Sequence, residues 1–211
     1  MLGSIRSHQA LVSHVSANLQ IPVLFIEYSL APEHPFPAAL NEVLSVYKHV
    51  LLKHSEKDII FMGDSAGAGL ALSALLKINS EGIKSPAYLI LLSPWVDLTC
   101  SNDSITTNAQ SDPVLSKNVL QNFAAMYVDA NLPEANPINN LSGPFPPTLI
   151  MVGSGEVLLD DSKNLYDKIV SEQPKAKLSI YERQNHVWML ENIHTDASEK
   201  ALNEIKEFIT A

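Results

Sequence analysis

The sequence predicts an α/β fold, with a mostly parallel sheet flanked by helices. Short, almost continuously apolar runs alternate with longer amphipathic stretches, which is the pattern of parallel strands joined by crossover helices. The apolar runs lack the polar alternation of a sheet with one face in water, so helices should cover both faces. The 211 residues, 46% of them hydrophobic, are expected to form a single domain over 1–211.

The apolar runs give five expected strands, at 22–28, 59–63, 87–92, 148–152 and 177–181. Helices are expected near 37–54, 66–79, 115–127, 162–172 and 197–210. The last helix has one apolar stripe, formed by Ala201, Leu202, Ile205, Phe208 and Ile209. Asp196 and Glu199 are predicted to act as a capping pair at its start.

One segment, 99–145, fits this alternation poorly. It is rich in Asn, Ser, Asp and Pro and has a single helical patch. An insertion that follows a strand in an α/β protein usually lies over the C-terminal edge of the sheet, where ligands bind. We therefore expect 99–145 to be a cap-like insertion.

Charge and hydropathy limit the partners. The net charge of -9, with no basic patch, argues against nucleic acid as a partner. The longest apolar runs, at 21–25 and 87–92, are too short to span a bilayer, so no transmembrane segment is expected in this chain. The single cysteine, Cys100, excludes an internal disulfide, and no sequence feature around it suggests an activated thiol.

The segment Gly63-Asp64-Ser65-Ala66-Gly67 fits the pattern Gly-x-Ser-x-Gly, between a predicted strand and a predicted helix. Such a turn strains the serine backbone and lifts the hydroxyl above the sheet, at a helix N-terminus. Bulky side chains at the two glycine positions would clash. We predict that Ser65 is a nucleophile and that the Ala66 N–H points at the position of an oxyanion.

A serine hydroxyl needs a base to take its proton. In enzymes with this serine turn the chain order is Ser, acid, His, which leaves His186 and His194 out of seven histidines. His186 lies in a polar loop just past the last predicted strand, at the edge of the sheet where Ser65 is expected. His194 lies near the final helix, where a surface or capping role is sufficient. We predict that His186 is the base.

The acid is expected on the loop that follows strand 148–152, where Glu156, Asp160 and Asp161 compete. Glu156 comes first after the strand, where a buried carboxylate would hold the imidazole tautomer. Asp160 and Asp161 lie at a helix start, which explains a carboxylate without catalysis. We favour Glu156 and keep Asp160 as the alternative.

Together these motifs resemble the hormone-sensitive-lipase-like esterases of the α/β-hydrolase fold. The serine turn Gly-Asp-Ser-Ala-Gly is that family's form of the nucleophile motif. Segment 28–40 resembles the family signature before a helix, and 92–98 resembles its strand end that leads into the cap. Residues 156–160 are similar to its Asp-x-Leu-x-Asp acid loop, with Glu156 in the acid position. His186-Val187-Trp188 corresponds to its His-Gly-Phe and departs from it at Val187.

The resemblance implies a serine carboxylic-ester hydrolase that acts on short-acyl or acetyl esters through Ser65, His186 and Glu156. Its partner would be a small-molecule ester, and no cofactor is required. Two alternatives remain open: a non-catalytic small-molecule-binding relative, which the presence of His186 disfavours, and an inactive fragment or truncated gene product.

The alternative of an inactive fragment or truncated gene product follows from a family segment that the chain lacks. Members carry a His-Gly-Gly-Gly oxyanion segment directly before a stretch resembling Leu2-Gly3-Ser4, and this chain begins at that point. We therefore expect the chain to be N-terminally truncated, without the strand that would lie between strands 22–28 and 59–63. These 211 residues alone are then expected to be poorly soluble and nearly inactive.

Overall fold

Four parallel strands form one sheet in the computed structural model, which describes residues 3–128, 132 and 135–211. They are β1 (Ile60–Asp64), β2 (Tyr88–Leu92), β3 (Thr148–Gly153) and β4 (Lys177–Tyr181). Neighbours in the sheet are also consecutive in sequence, so the order is β1-β2-β3-β4. All four carboxyl ends therefore meet at one edge, and the loops that follow them lie side by side.

Helices cover both faces of this sheet. In chain order they are α1 (Ile5–Leu19), α2 (Ala38–Val50), α3 (Ala66–Ser80), α4 (Ser104–Thr107), α5 (Lys117–Tyr127), α6 (Leu159–Ile169), α7 (Trp188–Glu191) and α8 (Asp196–Thr210). Alternate residues of β2 point to opposite faces: Ile90 packs with α1, α7 and α8, and Leu91 packs with α3 and α6. The continuously apolar strands are thus explained, and the predicted α/β class is confirmed.

The predicted strand at 22–28 is wrong. Residues 22–28 form no strand, and Val23 and Leu24 are exposed. Within the described residues, β1 pairs only with β2, so no strand pairs with 22–28. The apolar pattern of this segment is explained instead by Ile26 and Tyr28, which pack against α2 and α3.

The start of α8 also differs from the prediction. The N-cap is Thr195, whose hydroxyl accepts the Ser198 N–H at 3.2 Å, and Asp196 and Glu199 lie in the first helical turn. The predicted stripe of α8 does pack against the sheet, on the side of α1 and α7. None of the described helices is both long and apolar enough to cross a bilayer.

The segment between β2 and β3 carries α4, α5 and a short 3₁₀ turn at Pro137–Asn139. Ile105 and Leu120 from this segment share a buried cluster with Val157 and Leu158, which lie in the loop after β3. Trp95 and Leu98 complete the cluster from the β2 side. The segment thus packs against the edge of the sheet at which the strands end.

Candidate active site

Ser65 lies in a sharp turn between the end of β1 and the start of α3. Its backbone has φ 51 and ψ -120, a conformation that a non-glycine residue rarely adopts. Two main-chain hydrogen bonds hold it there: the Ser65 N–H donates to the Leu92 oxygen at 2.9 Å, and the Trp95 N–H donates to the Ser65 oxygen at 3.1 Å. Ser65 is thus fixed to the end of β2, at the edge where the strands terminate.

Glycines make this turn possible, although not at both predicted positions. A Cβ at Gly63 would collide with the main chain of Gly67, as expected. A Cβ at Gly67 would make ordinary contacts, the nearest at 3.7 Å from the Tyr28 hydroxyl. The second position with no room is Gly69, where the Trp95 main-chain oxygen occupies the Cβ site. The Ala66 N–H belongs to the first turn of α3, whose donors lack partners within the helix.

His186 lies in contact with Ser65, although 121 residues separate them in the chain. Its Nε2 lies 2.8 Å from the Ser65 hydroxyl oxygen. The loop after β4 carries His186, and the next residue, Val187, has φ 46, which turns the chain into α7. His194 lies elsewhere, with its ring packed edge-on against His14 at 4.9 Å between centroids.

Glu156 lies on the far side of the imidazole, and its side chain is fully buried. Its Oε2 is 2.9 Å from Nδ1 of His186. Its Oε1 accepts the Ser93 hydroxyl at 2.7 Å and the Gly153 N–H at 2.6 Å. Each carboxylate oxygen therefore has its own partners, and the orientation of the carboxylate is fixed.

The other two predicted candidates for the acid bond different groups. Asp160 accepts the Ser104 N–H at 2.8 Å, which ties the start of α6 to α4. Asp161 accepts the main-chain N–H groups of Val96 and Asp97 at 3.1 and 2.9 Å. Burial raises the pKa of Asp161 to about 7. The structure brings neither carboxylate into contact with His186.

Several residues that support the site were not predicted from the sequence. The Asn108 side-chain amide donates to the main-chain oxygen of Glu156 at 2.8 Å, and the Asp112 carboxylate accepts the Val157 N–H at 2.9 Å. Both belong to the segment between β2 and β3, whose high content of Asn, Ser and Asp was the available signal. They hold the main chain on both sides of the Glu156 carboxylate.

An ion pair between His8 and Asp64 lies next to Ser65, since Asp64 directly precedes it. Nε2 of His8, on α1, is 3.2 Å from Oδ2 of Asp64, and both side chains are largely buried. The hydrogen bond to Asp64 raises the pKa of His8. The pair ties the first helix to the residue that precedes Ser65.

A narrow cavity of about 40 Å³ opens beside the nucleophile turn. Its walls are mainly apolar and include Tyr28, Ala66, Leu70, Trp95 and Tyr127. Burial raises the pKa of Tyr28 to about 12, so its hydroxyl remains protonated at neutral pH. The cavity is suited to a small apolar group.

Other reactive groups lie outside this arrangement. Across the described ranges 3–128, 132 and 135–211, no three His, Cys, Asp or Glu side chains are grouped as metal ligands. Burial raises the pKa of the Cys100 thiol to about 11, which leaves it protonated. The chemistry available at this edge is that of Ser65, His186 and Glu156.

Comparison with known proteins gives one consistent result. A family described as alpha/beta hydrolase fold matches residues 1–190. An esterase of Acinetobacter venetianus is 36% identical over 100% of this chain and 71% of its own length. An acetyl-hydrolase of Streptomyces hygroscopicus is 35% identical over 89% of this chain and 64% of its own length. A solved esterase from the bacterial hormone-sensitive lipase family has a TM-score of 0.94 at 34% identity, covering 99% of this chain and 71% of that one.

Proposed function

We propose that Ser65, His186 and Glu156 form the catalytic triad of this chain, which belongs to the α/β-hydrolase fold family and is a carboxylic-ester hydrolase. The observation that carries the proposal is the unbroken hydrogen-bonded series from the Ser65 hydroxyl through both imidazole nitrogens to the Glu156 carboxylate. Such a series makes a serine hydroxyl nucleophilic at neutral pH, because the base is in place and its tautomer is fixed.

The proposed reaction has two halves. The Ser65 oxygen attacks the ester carbonyl carbon while Nε2 of His186 takes the hydroxyl proton, and the same proton then goes to the departing alcohol. Water, deprotonated by His186, then attacks the carbonyl carbon of the acyl-serine; the bond to the Ser65 oxygen breaks, His186 returns the proton to that oxygen, and the carboxylic acid is released. Glu156 accepts the Nδ1–H throughout and stabilises the imidazolium that forms in each half. The Ala66 N–H donates to the oxyanion.

The cavity beside Ser65 supports short-acyl or acetyl esters as substrates. Its volume of about 40 Å³ is about three times the roughly 10–15 Å³ that a cavity needs to hold one water molecule. Trp95 and Leu70 contribute to its mainly apolar walls. An acetyl-sized group fits this space, and a long acyl chain requires a different path. Segment 99–145, which packs over the same edge, serves as the cap of this single domain.

The proposal is tested with p-nitrophenyl acetate and a fluorophosphonate probe. Ser65→Ala is expected to reduce kcat by about 10⁴- to 10⁶-fold, because a triad acts as a unit, and to abolish labelling. Ser73→Ala is the matched control, because Ser73 lies further along α3 and lines the same cavity. Labelling that persists in Ser65→Ala and disappears in Ser73→Ala would move the nucleophile to Ser73.

A further inference from the structure

Ser93, the residue that follows β2, lies between the acid and the histidine loop. Its hydroxyl donates to Oε1 of Glu156 at 2.7 Å and accepts the Val187 N–H at 3.1 Å. Because Val187 directly follows His186, one hydroxyl connects the carboxylate to the main chain that carries the imidazole. Ser93 is fully buried, so water does not compete for either bond.

The backbone at Ser93 favours a different residue. Its φ is 46, in the left-handed region that glycine adopts most easily, and its N–H continues the sheet by donating to the Met151 oxygen at 2.7 Å. Glycine would fit this conformation without strain and would have no hydroxyl. A serine held here therefore indicates that the hydroxyl has a use.

We propose that Ser93 is a positioning residue for ester hydrolysis, whose hydroxyl holds the Glu156 carboxylate in place and directs its Oε2 to Nδ1 of His186. The inference rests on the proposed triad. Ser93 and the Gly153 N–H together occupy Oε1, which leaves Oε2 for the imidazole. Loss of the Ser93 hydroxyl removes one of the two donors on Oε1, so the carboxylate is less firmly held in the orientation that faces the imidazole.

Other carboxylates on the surrounding elements are engaged with different partners. Asp64 pairs with His8, Asp112 and Asp161 accept main-chain N–H groups, Asp160 bonds to Ser104, and Glu182 accepts the Ser154 hydroxyl. The carboxylate that the Ser93 hydroxyl contacts is that of Glu156.

The test uses Ser93→Ala and Ser93→Gly, with Ser162→Ala as the control. Ser162 is also fully buried, and its hydroxyl has no hydrogen-bond partner in the described part of the chain. Both Ser93 variants are expected to lower kcat for p-nitrophenyl acetate by about 10- to 100-fold, with KM within about twofold.

Ser93→Gly separates the hydroxyl from the backbone, since it relaxes the left-handed φ and still lacks the donor. Fluorophosphonate labelling should slow in both variants in parallel with kcat. A kcat equal to that of Ser162→Ala, in either folded Ser93 variant, would overturn the inference alone. A folded wild-type chain that does not react with the probe at Ser65 would overturn the proposed function, and this inference with it.

Discussion

The main-chain oxygen of Gln184 occupies the space that a Cβ on Gly153 would need. Gly153 ends β3 and donates its N–H to Glu156, and Gln184 lies two residues before His186. The loops that carry the proposed acid and base are therefore in direct main-chain contact. That contact exists only because residue 153 has no side chain.

Gly153→Ala should consequently separate the two loops. We expect a loss of about 1–3 kcal/mol in the free energy of unfolding, from overpacking, and a fall in kcat of about 100-fold or more. Gly155→Ala is the control, because its Cβ would lie 3.4 Å from the same oxygen, a contact that a slight shift relieves. The measurements are urea unfolding and turnover of p-nitrophenyl acetate. Equal effects of the two substitutions would contradict the role of this contact.

The choice between the two candidate acids is tested by removing each charge separately. Glu156→Gln keeps the size of the side chain but gives His186 the wrong partner, so kcat should fall by about 10³- to 10⁴-fold. Asp160→Asn should change kcat by only a few-fold, because Asp160 bonds to Ser104 and not to the imidazole. Steady-state kinetics of both variants decide the question. The opposite ranking would assign the acid role to Asp160.

The two glycines that follow Ser65 should respond differently to alanine. Gly69→Ala should destabilise the fold by about 1–3 kcal/mol, since the Trp95 oxygen fills the Cβ site. Gly67→Ala should be neutral or stabilising by up to about 1 kcal/mol, because its Cβ meets only ordinary contacts and alanine favours a helix. Thermal unfolding of the two variants measures the difference. Similar unfolding midpoints would contradict the difference in available space between the two positions.

The His8 and Asp64 pair should make stability depend on pH. The folded-state pKa of His8 is raised above 6.5, so the contribution of the pair is fully present below pH 6.5 and is lost as the pH rises through the higher folded value. A double-mutant cycle with His8→Gln and Asp64→Asn should give a coupling of about 1 kcal/mol at pH 5.5 and much less at pH 9. His49→Gln, at an exposed position on α2, is the control. A coupling that does not change with pH would refute this account.

The sequence predicted the elements whose signals are local. Strands β1 to β3 are mostly apolar runs, and the nucleophile turn is a short motif in a specific context. Residues 22–28 have the same apolar signal and are not a strand, because strand formation also needs a neighbour with which to pair. Helix α1 was not predicted, because it is rich in Ser, His and Asn. Only two of its residues, Leu11 and Val15, are buried, so its apolar stripe is weak.

The same distinction holds at the candidate site. The Gly-x-Ser-x-Gly motif selected Ser65, chain order and the position after the last strand selected His186, and the position after β3 favoured Glu156. The structure brings these three side chains together. Ser93 and Asn108 could not be selected in that way. Ser93 is 63 residues from Glu156 in the chain, and hydroxyl and amide side chains carry no pattern that identifies a distant partner.

Four side chains of the segment between β2 and β3 bond to the main chain of the loop that carries the proposed acid, one of them being Ser104, whose hydroxyl donates to the Val157 oxygen. Asn108 donates to the Ser154 and Glu156 oxygens, Ser111 donates to the Gly155 oxygen, and Asp112 accepts the Val157 N–H. A chimaera that takes segment 99–145 from a relative would therefore replace the proposed cap. It would also replace the side chains that hold the main chain around the proposed acid. Substrate range and turnover rate would change together in such a transplant, unless residues 153–158 were transferred with it.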